Sequence, residues 1–272
     1  MKLALKLDAA GVTDVGQARK HNEDSLTVDS EANLYAIADG MGGHMSGEVA
    51  SQSTLDELMS RIKIHAENIR EPVRQEDYYN IVLDAVNACN ELILAKNRNN
   101  GSNLGQGMGT TLVGAYFLQN KKQVVIFNVG DSRLYRLRGG DLQQLTRDHT
   151  MYQEWYDAGQ KGTAPSKNIL IKAIGLLENI FPDITLENVS EGDVFLLCSD
   201  GLSNLIDAKL LQKVLVQKIR HSPDMACNEL ISIANANGGN DNISVVIVKV
   251  DGTSATFNKT EDLDKTVQRR SV

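Results

Sequence analysis

The alternation of hydrophobic and polar positions divides the chain into helical blocks and strand blocks. Leu55, Leu58, Met59 and Ile62 recur at the spacing of one helix face, which predicts an amphipathic helix over residues 46–65. The same reasoning predicts further helices over 75–97, 207–219 and 223–236, and a short helix within 150–168.

After residue 111 the hydrophobic period changes from 3.6 to 2, which is typical of strands. Strands are predicted over residues 34–39, 112–118, 123–129, 132–137, 141–145, 194–198 and 242–250. The four strands between 112 and 145 have short connections, so we expect consecutive ones to pair antiparallel. Because strands and helices do not alternate strictly, the pattern favours an α+β fold with antiparallel sheets covered by helix pairs.

Composition narrows the class of protein. The 272 residues include 28 Lys and Arg against 35 Asp and Glu, a net charge of −7, which argues against nucleic acid as a partner. No apolar run reaches the ~18 residues of a membrane span, and the N-terminus does not resemble a signal peptide. Three widely spaced cysteines indicate a reducing compartment. We expect a cytoplasmic protein without membrane partners, with a single domain over 1–251 and a disordered C-terminal tail over 252–272.

Four aspartates share one setting, at an end of a predicted strand with glycine close by. They are Asp39, Asp131, Asp200 and Asp241. One such Asp and Gly combination alone would be more typical of a turn, but four beside buried strands are not. Converging carboxylates repel one another unless a cation lies among them, and oxygen-only donors favour Mg²⁺ or Mn²⁺.

A second polar cluster lies near the N-terminus. It contains Arg19, Glu23 and Asp24. A lone arginine is usually a solvated surface residue, but beside a metal–carboxylate cluster its guanidinium would be a bidentate clamp for phosphate. Glu23 and Asp24 would bind a metal ion or order its water, and we expect Asp24 to orient such a water.

The sequence resembles the metal-dependent protein phosphatase 2C family, especially its compact bacterial members, in an ordered set of signature blocks. These blocks are the Asp and Gly segments around residues 39, 131, 200 and 241, the N-terminal cluster with Arg19, Glu23 and Asp24, and residues 108–111 and 145–149. The resemblance runs in order from about Leu7 to Val250. It implies a four-layer sandwich, with two central antiparallel β-sheets flanked by pairs of α-helices. It also implies hydrolysis of phosphoserine and phosphothreonine in proteins by direct attack of a metal-bridging water. The expected partners are phosphorylated proteins, in opposition to a bacterial Ser/Thr kinase, and the expected state is a monomer.

The resemblance also assigns metal ligands by position. It implies two core Mn²⁺ or Mg²⁺ ions bridged by Asp39, with the carbonyl of Gly40 on one ion. Glu23 serves that ion, partly through water, while Asp200 and Asp241 complete the other ion.

Further roles follow from the same resemblance. Asp131 and Asp200 match positions that hold a third, weaker ion in bacterial members, and Arg19 matches the phosphate-binding arginine. Eukaryotic relatives carry a histidine directly after the Asp-Gly pair, where this chain has Met41. His44 is therefore the candidate general acid, although it is equally typical of a turn histidine that only makes local hydrogen bonds.

In this resemblance, residues 150–168 correspond to the family's flap beside the active site.

The alternative function is a catalytically weak pseudophosphatase that binds or scaffolds phosphoproteins. Such a protein should have lost a metal aspartate, whereas Asp39, Asp200 and Asp241 are all present.

Overall fold

The computed structural model describes residues 2–42, 46–68 and 74–256, which contain eleven strands and six helices. The strands are β1 (Lys2–Asp14), β2 (Asp24–Asp29), β3 (Leu34–Met41), β4 (Gly109–Thr110), β5 (Leu112–Leu118), β6 (Gln123–Val129), β7 (Arg133–Arg138), β8 (Asp141–Gln144), β9 (Asp183–Asn188), β10 (Val194–Cys198) and β11 (Ile243–Thr256). The helices are α1 (Ser46–Asn68), α2 (Gln75–Asn99), α3 (Met151–Asp157), α4 (Asp200–Ser203), α5 (Ala208–Lys218) and α6 (Pro223–Ala236).

The strands form two antiparallel sheets. One sheet has the order β1-β11-β10-β7-β8, and the other has the order β2-β3-β5-β6-β9, with the short β4 paired to β3. Every neighbouring pair in both sheets runs antiparallel. The predicted α+β class is confirmed.

Strand β3 shows how the layers stack. Leu34, Ala36 and Ala38 pack against α1 and α2, whereas Tyr35 and Ile37 face the other sheet. The other sheet packs its opposite face against α5 and α6. Alternate residues of a strand therefore supply two hydrophobic cores, because successive side chains point to opposite faces. The result is the expected four-layer sandwich, with a helix pair on each outer face.

The predicted pairing of consecutive strands is wrong at one point. Strands β5 and β6 pair, and β7 and β8 pair, but β6 and β7 belong to different sheets. The free edge of β6 pairs with β9, and that of β7 pairs with β10. Residues 130–132 carry the chain from one sheet to the other. We call this segment the crossing.

The expected boundary at residue 251 is also wrong, because β11 continues to Thr256. Residues 252–256 pair with the first residues of β1, which extends the strand beyond the apolar run that predicted it. The expected tail from residue 257 onward lies outside the described residues, so the division into one domain and a tail stays a prediction. Within the described ranges, no helix is both long and apolar enough to cross a membrane.

Candidate metal centre

The predicted acidic residues meet in one pocket at the same end of both sheets. The pocket has a volume of about 290 Å³. Its lining includes Arg19, Glu23, Asp39, Gly40, Asp131, Asp200 and Asp241. The structure therefore brings together all the sequence-predicted residues except two. Asp24 is buried and is absent from the pocket lining, and His44 lies outside the described residues.

Asp39 is fixed by the backbone of strand β3. Its N–H donates to the Thr111 hydroxyl over 3.0 Å, and its carbonyl accepts from the Thr111 N–H over 2.9 Å. The Thr110 hydroxyl donates to the same carbonyl at 2.9 Å. With β2 paired on its other edge, β3 leaves Asp39 little freedom.

Gly40 lets three segments approach closely. A Cβ at this position would lie 2.5 Å from the Glu23 carbonyl oxygen and closer still to that of Gly47. Contacts below 3 Å are sterically excluded for a side-chain carbon, so only glycine fits. The Gly40 N–H donates to the Glu23 carbonyl over 3.1 Å. The start of α1, the end of β3 and Glu23 are thereby held together.

Asp200 and Asp241 approach from the other sheet. Asp200 begins α4 directly after β10, and Asp241 immediately precedes Asn242 and β11. The Asp241 carboxylate accepts hydrogen bonds from the Asn242 N–H and from the Arg19 guanidinium, both over 2.8 Å. The Asn204 amide donates to Asp200 over 3.2 Å. Arg19 therefore lies at the pocket mouth, on the acidic cluster.

Burial and repulsion between neighbouring carboxylates disfavour the ionised form of the acidic side chains in this site. Burial, followed by repulsion from neighbouring carboxylates, raises the pKa of Asp39 well above its usual value. Burial first, then Asp200, raises the pKa of Asp131 to about 7. Burial also raises the pKa of Asp24 to about 6, although the nearby hydroxyls of Ser199 and Ser244 lower it in part. Such carboxylates would ionise together only with compensating positive charge.

The donor chemistry fits hard divalent ions. The acidic side chains and the Gly40 backbone offer only oxygen, which suits Mg²⁺ and Mn²⁺. Both carboxylate oxygens of Asp24 are buried and have no hydrogen-bond partner among the described residues. In the described part of the chain, no group of three or more His, Cys, Asp or Glu side chains is arranged so that it could already hold a metal ion.

Sequence reasoning missed two asparagines that build the site. Asn242 accepts from the Glu23 N–H over 2.8 Å and donates to the carbonyls of Val15 and His21, which ties the N-terminal loop to β11. Its position beside Asp241 in a glycine-rich string was the available signal. Asn168 lines the pocket from the predicted flap, where no periodicity marks it.

The flap region borders the site as predicted. A second bay of about 530 Å³ adjoins the pocket. Lys167 and Asn168 line this bay together with Arg19, Asp200 and Asp241. The pocket thus opens into a wider groove, which suits a substrate that is part of a larger chain.

Comparison with known proteins identifies the family of this chain. The family model described as protein phosphatase 2C matches residues 16–247. The chain is 37% identical over 250 residues to the serine/threonine phosphatase stp of Listeria welshimeri, covering 87% of this chain and 93% of that protein. It is 36% identical to the serine/threonine protein phosphatase PstP of Mycobacterium tuberculosis, over 92% of this chain and 46% of that longer protein.

Solved structures show the same likeness. The chain resembles the serine/threonine phosphatase PstP/Ppp of Mycobacterium tuberculosis with a TM-score of 0.79 and 33% identity, over 90% of this chain and 99% of that one. The catalytic domain of PstP in complex with two manganese ions matches with a TM-score of 0.76 and 32% identity, over 91% and 100% of the two chains. A family of metal-dependent phosphatases thus accounts for both the sandwich and its acidic pocket. The chain belongs to the protein phosphatase 2C family.

Proposed function

We propose that this pocket hydrolyses phosphoserine and phosphothreonine in proteins, with Asp39 at the centre of its metal-binding set. The chain is a metal-dependent serine/threonine protein phosphatase, in line with its family and with relatives that are named as such. The observation that carries the residue assignment is the convergence of five carboxylates and the Gly40 backbone in one pocket, where burial and then mutual repulsion raise the pKa of Asp39.

Six groups would hold the ions: the carboxylates of Glu23, Asp39, Asp131, Asp200 and Asp241, and the carbonyl of Gly40. Asp39 would be shared by two ions, with Glu23 and Gly40 on one side. Asp200 and Asp241 would lie on the other side, and Asp131 with Asp200 would serve a third, weaker ion. When bound, divalent ions supply the positive charge that acidifies an attacking water and stabilises the phosphoryl oxygens.

Arg19 is proposed to bind the phosphate. Its guanidinium is half exposed at the pocket mouth, and the hydrogen bond to Asp241 uses Nη2. A guanidinium has five N–H donors in a planar fork, so donors remain for two phosphoryl oxygens. Arg19 would thereby orient the ester and stabilise charge that develops on the phosphoryl group.

Asp24 and His44 are proposed to order water and to donate a proton, respectively. Asp24 is only 6% exposed and pairs in register with Asp39, so it would act from beneath the pocket by ordering water. His44 stays the candidate general acid for the leaving serine or threonine oxygen. In His44→Gln, the alkaline limb of the pH profile of kcat should change, and an unchanged profile would remove His44 from the reaction.

The proposed setting is dephosphorylation in bacterial cytoplasmic signalling. The substrates would be proteins phosphorylated by a Ser/Thr kinase that this phosphatase opposes, and the chain would act as a monomer. The alternative, a binding module without turnover, is not supported, because Asp39, Asp200 and Asp241 all line the pocket and the relatives are named as phosphatases.

Phosphate release from a phosphothreonine peptide tests the proposal. We expect turnover with Mn²⁺, its loss with excess chelator, and its loss in Asp39→Asn. The matched control is Asp84→Asn, which changes an exposed carboxylate on α2 and should keep full activity. Undiminished turnover with chelator or in Asp39→Asn would refute the metal mechanism.

A further inference from the structure

We propose that His149 and Asp148 are positioning residues that hold the crossing in place and thereby set Asp131 in the pocket. Both belong to the block 145–149, which none of the roles above uses. The inference rests on the proposed function of Asp131 as a metal ligand.

The crossing lacks the support of a sheet ladder. Gly130 follows the end of β6 with a φ of +108°, in the region that favours glycine. Its N–H donates to Nδ1 of His149 over 3.1 Å, and its carbonyl accepts from the His149 N–H over 2.9 Å. One residue therefore satisfies both backbone polar groups of Gly130, the residue that precedes Asp131. The Asn128 amide also donates to the Gly130 carbonyl, over 3.2 Å.

The His149 ring is held in one orientation. It is 1% exposed, and Nδ1 must lack a proton in order to accept from Gly130. The proton then lies on Nε2, which is 3.2 Å from a carboxylate oxygen of Asp183. Lys172 donates to the same oxygen over 3.3 Å and to the Phe181 carbonyl over 3.0 Å. Burial lowers the pKa of His149, which keeps the ring neutral and Nδ1 available.

Asp148 secures the other end of the crossing. It binds the Arg133 guanidinium through three hydrogen bonds of 2.6 to 3.1 Å, and Arg133 is the first residue of β7. Between the two anchors, the Ser132 hydroxyl bonds the Thr111 hydroxyl over 2.8 Å. Asp131 is thus bracketed by contacts on both sides.

A direct catalytic role for His149 does not fit its place. It is absent from the lining of the pocket, since it lies behind Gly130. Asp148 lines a smaller depression beside the pocket together with Asp131 and Arg133. Groups that orient metal ligands in this manner usually change metal affinity by about 10- to 100-fold when they are replaced.

The test is a calorimetric titration of Mn²⁺ into metal-free full-length protein, with thermal unfolding followed with and without Mn²⁺. In His149→Leu the weakest Mn²⁺ site should lose about tenfold in affinity, and the tighter sites should keep theirs. His149→Asn, which can still offer an oxygen acceptor to Gly130, should restore most of that affinity. Asp148→Asn should weaken the same site in the same direction, and it serves as the second variant if His149→Leu fails to fold.

Asp131→Ala provides the coupling control. If His149 acts through Asp131, adding His149→Leu to Asp131→Ala should leave Mn²⁺ affinity unchanged. A merely structural role would lower the unfolding temperature equally with and without Mn²⁺ and leave affinities at wild-type values, which would overturn the inference. Failure of the proposed function is distinguishable, because wild-type protein itself would then bind no Mn²⁺ or release no phosphate.

Discussion

Asp39 and Asp131 reach the same pocket on different supports. Asp39 lies in β3, where backbone bonds to Thr111 and pairing with β2 hold it. Asp131 lies in a segment of three residues between two sheets, where side chains from 148–149 replace the missing ladder. A strand ladder can be built from many sequences, whereas a crossing depends on particular side chains. The Asp131 end should therefore be the more sensitive to substitutions at a distance.

The largest expected effect is a difference in activity between variants of Asp39 and variants of Asp131. Asp39→Asn should lower kcat by about 10³-fold at saturating Mn²⁺, because it removes the carboxylate at the centre of the metal set. Asp131→Ala should lower the steady-state rate by about tenfold at low Mn²⁺, and the rate should recover as the Mn²⁺ concentration is raised. Steady-state rates across a Mn²⁺ series measure both. Equal, Mn²⁺-insensitive losses would remove the distinction between the two positions.

The next effect tests the close packing beneath Asp39. Gly40→Ala should destabilise the protein by about 3 kcal/mol, because the new methyl group would overlap backbone at Glu23 and Gly47. Gly139→Ala is the matched control, since Gly139 has a φ of +59° but open space around it. It should cost only about 1 kcal/mol. Urea unfolding measures the two, and similar losses would mean that packing at Gly40 is unimportant.

Metal removal should have a pH dependence of defined sign. The folded-state pKa of Asp131 is about 7 and that of Asp24 about 6, both above the unfolded value of 3.8. Between about pH 4 and 7 the folded state binds more protons than the unfolded state, so this contribution to stability is lost as pH rises. Chelator should therefore lower the unfolding temperature more at pH 7.5 than at pH 5.5.

Asp39→Asn sharpens that measurement. The variant removes one of the mutually repelling carboxylates, so its chelated form should lose less stability than chelated wild-type protein between pH 5.5 and 7.5. An identical pH dependence in variant and wild type would contradict this electrostatic explanation.

The smallest expected effect comes from replacing Asp183, which is about half exposed and contacts His149 and Lys172. Asp183→Asn should change the free energy of unfolding by less than about 1 kcal/mol, as exposed ion pairs usually do. Mn²⁺ affinity should stay near that of wild type, because Gly130 keeps its bonds to His149. A loss as large as that of His149→Leu would place the control of the crossing at Asp183 instead.

The bounds of strands were predicted best where most residues of the strand are apolar. Strands β5, β6 and β10 have the predicted bounds because each is an apolar run between polar turns. Strands β1, β2 and β9 were missed because polar residues interrupt their hydrophobic pattern. A period of 2 also carries no information about which sheet a strand joins, so the separation of β6 from β7 could not be foreseen.

The candidate site divides in the same way. Aspartates next to glycines at strand ends were visible in the sequence, and the structure brings all four into one pocket. The contact of His149 with Gly130 was not visible, since a side chain that binds backbone leaves no characteristic spacing. Likewise, Asn242 acts through the carbonyls of Val15 and His21, which any residue would provide.

The most direct test of the central claim is the number of Mn²⁺ ions that one metal-free chain binds in a calorimetric titration. An acidic pocket organised around Asp39 should take up two ions tightly in wild-type protein, and Asp39→Asn should lose tight binding of both. Wild-type stoichiometry and affinity in Asp39→Asn would contradict the claim.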